Sequence, residues 1–138
     1  MSDLKEDGVS TVAAGNETAV GAVQLYVDGV RTGDAGKLEQ GFNEGAWMFG
    51  SVGGKRLDMP ISEMITMIAA QPADTDGSFR ATVRSVEEEG DAAVVVLEEE
   101  GFWGALSFVD FFSLARIDGS WKIVNKTFAH TGGSLPEG

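Results

Sequence analysis

The apolar residues of this chain keep one spacing as far as Ile68 and another from Phe79 onward, and that switch decides its architecture. Val20, Val23, Val27 and Val30 recur every three or four residues, the spacing of a single helix face. Ile61, Met64, Ile65 and Ile68 repeat it. From Phe79 the period is two: Phe79, Ala81 and Val83 alternate with Arg80, Thr82 and Arg84, as in a strand with one buried face. Helices first and strands afterwards predict an α+β fold rather than a doubly wound parallel sheet.

Local signals set the expected boundaries. Asn16 can cap a first helix running to about Arg31, Gly33 can stop it, and Asp34 can cap a short second helix with Leu38 and Phe42 inside. Ala46 to Phe49 reads as a strand that turns at Gly53-Gly54 and returns over Lys55 to Met59. Pro60 opens a third helix, where its missing N–H costs nothing, and Pro72 forbids continuation. A four-strand meander follows. Ala92 to Leu97, apolar on both sides, reads as a central strand covered on both faces. The acidic runs Glu87 to Glu89 and Glu98 to Glu100 read as its solvated ends.

The last two strands, Leu106 to Ile117 and Ser120 to His130, meet at Asp118-Gly119. A two-residue turn would pair Ile117 with Ser120 and leave Lys126 opposite Phe111. A bulged turn would pair Arg116 with Ser120 and set Asp110 opposite Lys126. The bulged register is favoured, because an opposed unlike pair stabilises a sheet by about 0.2–1 kcal/mol. It gathers Leu106, Phe108, Asp110, Phe112, Leu114, Val124, Lys126, Phe128 and His130 on one face, and turns Phe111, Trp121 and Ile123 outward. An apolar face with a few convergent polar groups is the usual form of a ligand site; a structural Asp110–Lys126 ion pair is the plainer reading.

Composition then removes whole function classes. There is no cysteine and a single histidine, which excludes disulfides, thiolate zinc and multi-histidine metal centres. A net charge of −12 repels phosphate backbones and anionic lipid, so neither nucleic acid nor membrane is an expected partner. The start of the chain resembles no signal peptide, no apolar run reaches a membrane span, and a cytoplasmic protein is expected. Residues 1–15 read as a loose arm and residues 16–138 as one domain. No Gly-x-Gly-x-x-Gly or Walker pattern opens a helix, so no cofactor is expected.

The element order resembles the cone fold of the nuclear transport factor 2-like superfamily, which includes SnoaL-like cyclases, scytalone dehydratase and ketosteroid isomerase. FVDFFSLARIDGSWKIVNKTF resembles the C-terminal hairpin of its lumazine-binding branch, and LYVDGVRTGDAGKLEQGF that branch's opening helices. The resemblance covers most of the chain after residue 16. It implies three N-terminal helices packed on a curved mixed, mainly antiparallel sheet, a pocket between the layers, and a homodimer formed through the sheet. Tyr26 followed by Gly33-Asp34 matches the spacing of the ketosteroid isomerases, and Asp110 resembles the aspartate before their last hairpin. There a tyrosine and a protonated aspartate hydrogen-bond a developing oxyanion. The position of the isomerase's general base falls on Gly50, which moves no proton, and Lys126 beside Asp110 would favour the charged carboxylate.

The candidate ligand-binding residues are therefore Tyr26, Trp47, Trp103, Phe108, Asp110, Phe112, Lys126 and Phe128, around a small hydrophobic or planar ligand. Tyr26, Asp110 and His130 are the candidate catalytic residues if a dehydratase, cyclase or isomerase reaction takes place on a hydrophobic carbonyl compound. Trp103, in a glycine-rich run, could cover the pocket mouth, and Met59, Met64 and Met67 could make its wall adaptable; core packing is the plainer reading of all four. A protein-interaction module, using the outer sheet face, is the third reading.

Overall fold

A computed structural model describes residues 13–135. Most of the expected arm, residues 1–12, lies outside the described residues. Helix α1 (Ala19–Thr32) begins at Thr18, whose hydroxyl accepts from the Gly21 N–H, and stops at Gly33 in the left-handed conformation. Asn16 is not the cap: its side-chain amide donates to the carbonyls of Gln40 and Trp121, tying the start of the domain to the last strand. Asp34 caps α2 (Ala35–Gly41) as expected. Phe42 leaves that helix and starts β1 (Phe42–Phe49). The short β2 (Ser51–Val52) and β3 (Lys55–Arg56) form a small hairpin of their own. Then come β4 (Met59–Pro60) and α3 (Ile61–Ala70).

The remaining strands are β5 (Arg80–Glu89), β6 (Ala92–Phe102), β7 (Leu106–Ile117) and β8 (Ser120–Gly132). They join β1 and β4 in one six-stranded sheet of order β4-β1-β8-β7-β6-β5. Only β1 and β8 run parallel, so the sheet is mixed and mainly antiparallel. Its concave face is covered by the helices, and the core there includes Val23, Tyr26, Val30, Leu38, Ile68, Phe79, Leu97 and Phe112.

The β7–β8 register corrects the sequence expectation. Asp118 and Gly119 both have positive φ, the two-residue primed turn, and Ile117 pairs with Ser120. The extra residue sits further along, where Leu114 faces Ile123 but Ser113 faces Asn125, leaving Val124 as a bulge. Each side of the bulge therefore has its own parity. Before it, Trp121 and Ile123 point inward, 2% and 0% exposed, not outward as expected. Beyond it, Lys126 and Phe128 reach the concave face, while Val124 does not join it as a fully buried residue. Lys126 lies opposite Phe112 and Asp110 opposite Phe128, so the expected Asp110–Lys126 pairing is absent.

Strand β6 also departs from expectation. Ala93, Val95 and Leu97 are buried, but Val94 is 44% exposed, because no layer among the described residues covers the convex face. The same alternation carries Glu99 to the concave face, 1% exposed, in place of a solvated strand end.

Candidate functional site

Between α1, α3, the β2–β3 hairpin and the concave sheet lies a cavity of about 40 Å³, lined among others by Val30, Met48, Leu57, Met64, Met67 and Phe102. That is room for one or two waters. Three of its wall residues are methionines, whose unbranched side chains repack at low cost to admit something larger. Larger depressions, about 670 Å³ beside Glu87 to Glu89, about 520 Å³ beside Trp47 and Phe49 and about 430 Å³ between β1 and α3, hold no buried polar side chain.

Of the residues expected from sequence, Tyr26, Trp103, Phe108, Lys126 and Phe128 line the cavity. Trp103 closes one side, held by an indole N–H donated to the Gln71 carbonyl at 2.8 Å. Trp47 does not line it: it sits on the convex face, 43% exposed and stacked on Phe49, because β1 directs it away from the helices. Phe112 and Asp110 are fully buried behind the cavity wall, where Phe112 meets the Tyr26 ring edge-on at 5.0 Å. His130 is also outside. Its Nδ1 accepts from the Gly53 N–H at 3.1 Å, and its Nε2 lies 2.9 and 2.7 Å from the Gly132 and Gly133 carbonyls. Both ring nitrogens are thus engaged by backbone, and the imidazole fastens the β2–β3 hairpin to β8 rather than facing a ligand.

The cavity's polar end is a cluster on three elements. Tyr26 comes from α1, Glu99 from β6 and Lys126 from β8, with Asp110 of β7 behind them. The Tyr26 hydroxyl donates to Asp110 Oδ2 across a long 3.5 Å. No N–H or O–H of the described residues donates to either Glu99 carboxylate oxygen or to Asp110 Oδ1, all three buried, and Glu99 lies within side-chain hydrogen-bonding reach of Asp110 and Tyr26. Burial, and next the Asp110 charge, push the Glu99 carboxyl well above its ordinary range, against the opposing pull of Lys126. These surroundings favour the neutral acid form of Glu99. Burial first, then the Asp110 charge, likewise raise the Tyr26 hydroxyl well above its ordinary range, so it stays a donor. Lys126 is 7% exposed, with Nζ 5.0 Å from the Tyr26 ring centre and 5.1 Å from that of Phe128.

Position 50 is closed to any side chain. A Cβ on Gly50 would lie 2.5 Å from the Phe128 ring, so that ring fills the space from which a base would project. Asp58 is turned away, accepting from the Gly50 N–H and pairing with Arg56. Glu99 was missed from sequence because the acidic run was read as one block. Continuing the two-residue alternation past Leu97 would have placed it inside. Among the described residues no group of three or more His, Asp or Glu is set to hold a metal, and no helix is long and apolar enough to cross a membrane.

Comparison with known proteins agrees with this fold. Residues 14–129 match the model of the family described as "Putative lumazine-binding". Among solved structures, an NTF2-like protein of unknown function from Silicibacter pomeroyi is 29% identical, with a TM-score of 0.72 over 81% of this chain and 92% of that one. One from Shewanella baltica is 23% identical, with a TM-score of 0.74 over 83% of this chain and 92% of that one. Among curated proteins, the aldolase FrzH of a Cladobotryum species is 23% identical over 112 residues, 81% of this chain and 88% of that protein.

Proposed function

The chain belongs to the lumazine-binding family of nuclear transport factor 2-like domains, and from that premise we propose that it binds a small, mostly apolar carbonyl compound between its helices and its sheet. One observation carries the reading: the Tyr26 hydroxyl and the Glu99 carboxyl, both buried, line one end of an otherwise mostly apolar cavity. A carbonyl oxygen accepts from Glu99, and from Tyr26 once that hydroxyl turns from Asp110 to the ligand, and the apolar remainder packs against Phe108, Phe128 and the methionines. Glu99 thereby takes the donor role that the resemblance to the isomerases assigned to Asp110, while Asp110 orients Tyr26 and keeps Glu99 protonated.

The test is a thermal-shift series of enones, planar phenols, pterins and small ketones on wild type and Glu99→Gln. A ligand at a hundred times its dissociation constant adds about 2.7 kcal/mol of stability. The reading expects a shift with carbonyl compounds that weakens in the variant; no shift with any compound, on well-folded protein, contradicts it. A catalytic version, in which the same pocket turns over its carbonyl compound, is supported by the buried acid and by the likeness to the Cladobotryum aldolase.

The convex face supports a homodimer. Trp47 and Phe49 on β1, Phe111 on β7 and Val94 on β6 are each more than a third exposed. A second copy laid against this sheet buries them, and sedimentation of the purified protein at twice the monomer mass is the expected result.

A further inference from the structure

We propose that Lys126 is a carbonyl-reactive amine, which condenses with an aldehyde or ketone in the cavity to form an imine while Glu99 delivers the proton that releases water. The inference rests on the pocket reading above and adds a covalent step to it.

Lys126 is the one buried lysine among the described residues. Buried lysines are ordinarily paired. The four ion pairs among the described residues all join arginines to carboxylates, and none includes Lys126. Nor does its ammonium donate a hydrogen bond, whereas Lys122 on the same strand donates to the Gln40 carbonyl. Its amine instead projects past Tyr26 and Phe128 into the cavity that also receives the Glu99 carboxyl. The position from which a carboxylate base could act is occupied by Phe128 over Gly50, so the reactive groups left in the cavity are an amine, an acid and a phenol.

The cavity also favours the nucleophile. Attack requires the uncharged amine. An ammonium and a carboxylate separated beyond contact in an apolar cavity are both poorly solvated. The attacking amine is the form that has released its proton to solvent, which apolar surroundings favour.

The step then balances. The amine lone pair bonds to the carbonyl carbon as the C=O π pair moves onto oxygen, which Tyr26 holds, and a proton passes from nitrogen to that oxygen. Glu99 protonates the resulting hydroxyl, the C–O bond breaks, and water leaves as nitrogen's lone pair forms C=N. The products are a protonated imine, one water and the Glu99 carboxylate. The carboxylate can then take a proton back from the carbon next to the imine, giving an enamine and restoring the acid. Bond making or breaking next to a carbonyl is the reaction class such an intermediate serves.

The experiment treats the full chain with cyclohexanone and sodium borohydride, which reduces an imine to a stable secondary amine, and locates adducts by peptide mass mapping. The expected result is modification at Lys126 in large excess over Lys37, Lys55 and Lys122. Lys126→Arg, which keeps the charge between the two rings, should lose it while melting normally. Glu99→Gln should slow it by about a hundredfold, the contribution of a positioned acid. Equal modification of all lysines, or an unchanged yield in Lys126→Arg, overturns the proposal. A cyclohexanone thermal shift without any adduct overturns the imine and leaves the pocket reading standing; neither shift nor adduct overturns both.

Discussion

Replacing Glu99 with leucine should make this protein more stable, and the reason lies in what surrounds the carboxyl. Glu99 is 1% exposed and no N–H or O–H of the described residues donates to either oxygen. A buried polar group left unsatisfied costs about 1–3 kcal/mol, and leucine, of similar volume, removes that cost without opening a hole. For a domain of this size each kcal/mol moves the melting temperature by about 3–5 °C. The pH dependence gives the sign independently. Burial and the Asp110 charge raise the Glu99 carboxyl in the folded state, so the folded protein holds that proton more tightly than the unfolded chain. Its contribution is therefore complete below the ordinary glutamate range and is lost as pH rises through the folded value. Urea unfolding at about pH 5 and about pH 8 measures both effects, because stability falls with pH wherever the folded state binds more protons. Wild type should lose more stability between the two than Glu99→Leu, and the variant should be the more stable at the higher pH. A leucine variant less stable than wild type, or one with the same pH slope, would refute this account of Glu99.

Three other substitutions probe separate parts of the structure. Gly50→Ala places a methyl group 2.5 Å from the Phe128 ring and should cost about 1–3 kcal/mol by overpacking; denaturant midpoints check this, and Phe128→Leu in the same chain should recover part of it. His130→Gln should lower stability by about 0.5–1.5 kcal/mol, the worth of its contact with the β2–β3 hairpin, yet leave ligand-induced thermal shifts intact; loss of binding would return His130 to the site. Phe111→Asp, on the convex face, should leave the monomer folded by circular dichroism and abolish dimers in sedimentation velocity.

Much of this was legible in the sequence, for physical reasons that also mark where reading failed. The change of period placed the helices ahead of the meander, and Gly33, Asp34 and Asp118-Gly119 sit where their conformations require. Tyr26, Phe108 and Phe128 were found because an apolar face is written in alternation. The bulge at Val124 was not, since the Asp118-Gly119 turn fixes the register only next to itself and the shift lies further along the strand. It reverses parity within one strand, which is why Trp121 and Ile123 were misplaced while Lys126 and Phe128 were not. Glu99 escaped because charge was weighed above periodicity in an acidic run. His130 was given a base's role on its chemistry alone, and only the fold reveals that both its nitrogens are engaged by backbone.

The central claim, that a carbonyl ligand enters the cavity beside Tyr26 and Glu99, is tested most directly by methionine-methyl NMR during titration with 2-cyclohexenone. Met48, Met64 and Met67 line the cavity and Met59 does not. The account predicts that the first three methyl signals move together along one saturable curve, that Met59 stays in place, and that Tyr26→Phe weakens the curve. Unmoved signals at saturating ligand, or a Met59 shift as large as the others, would contradict it.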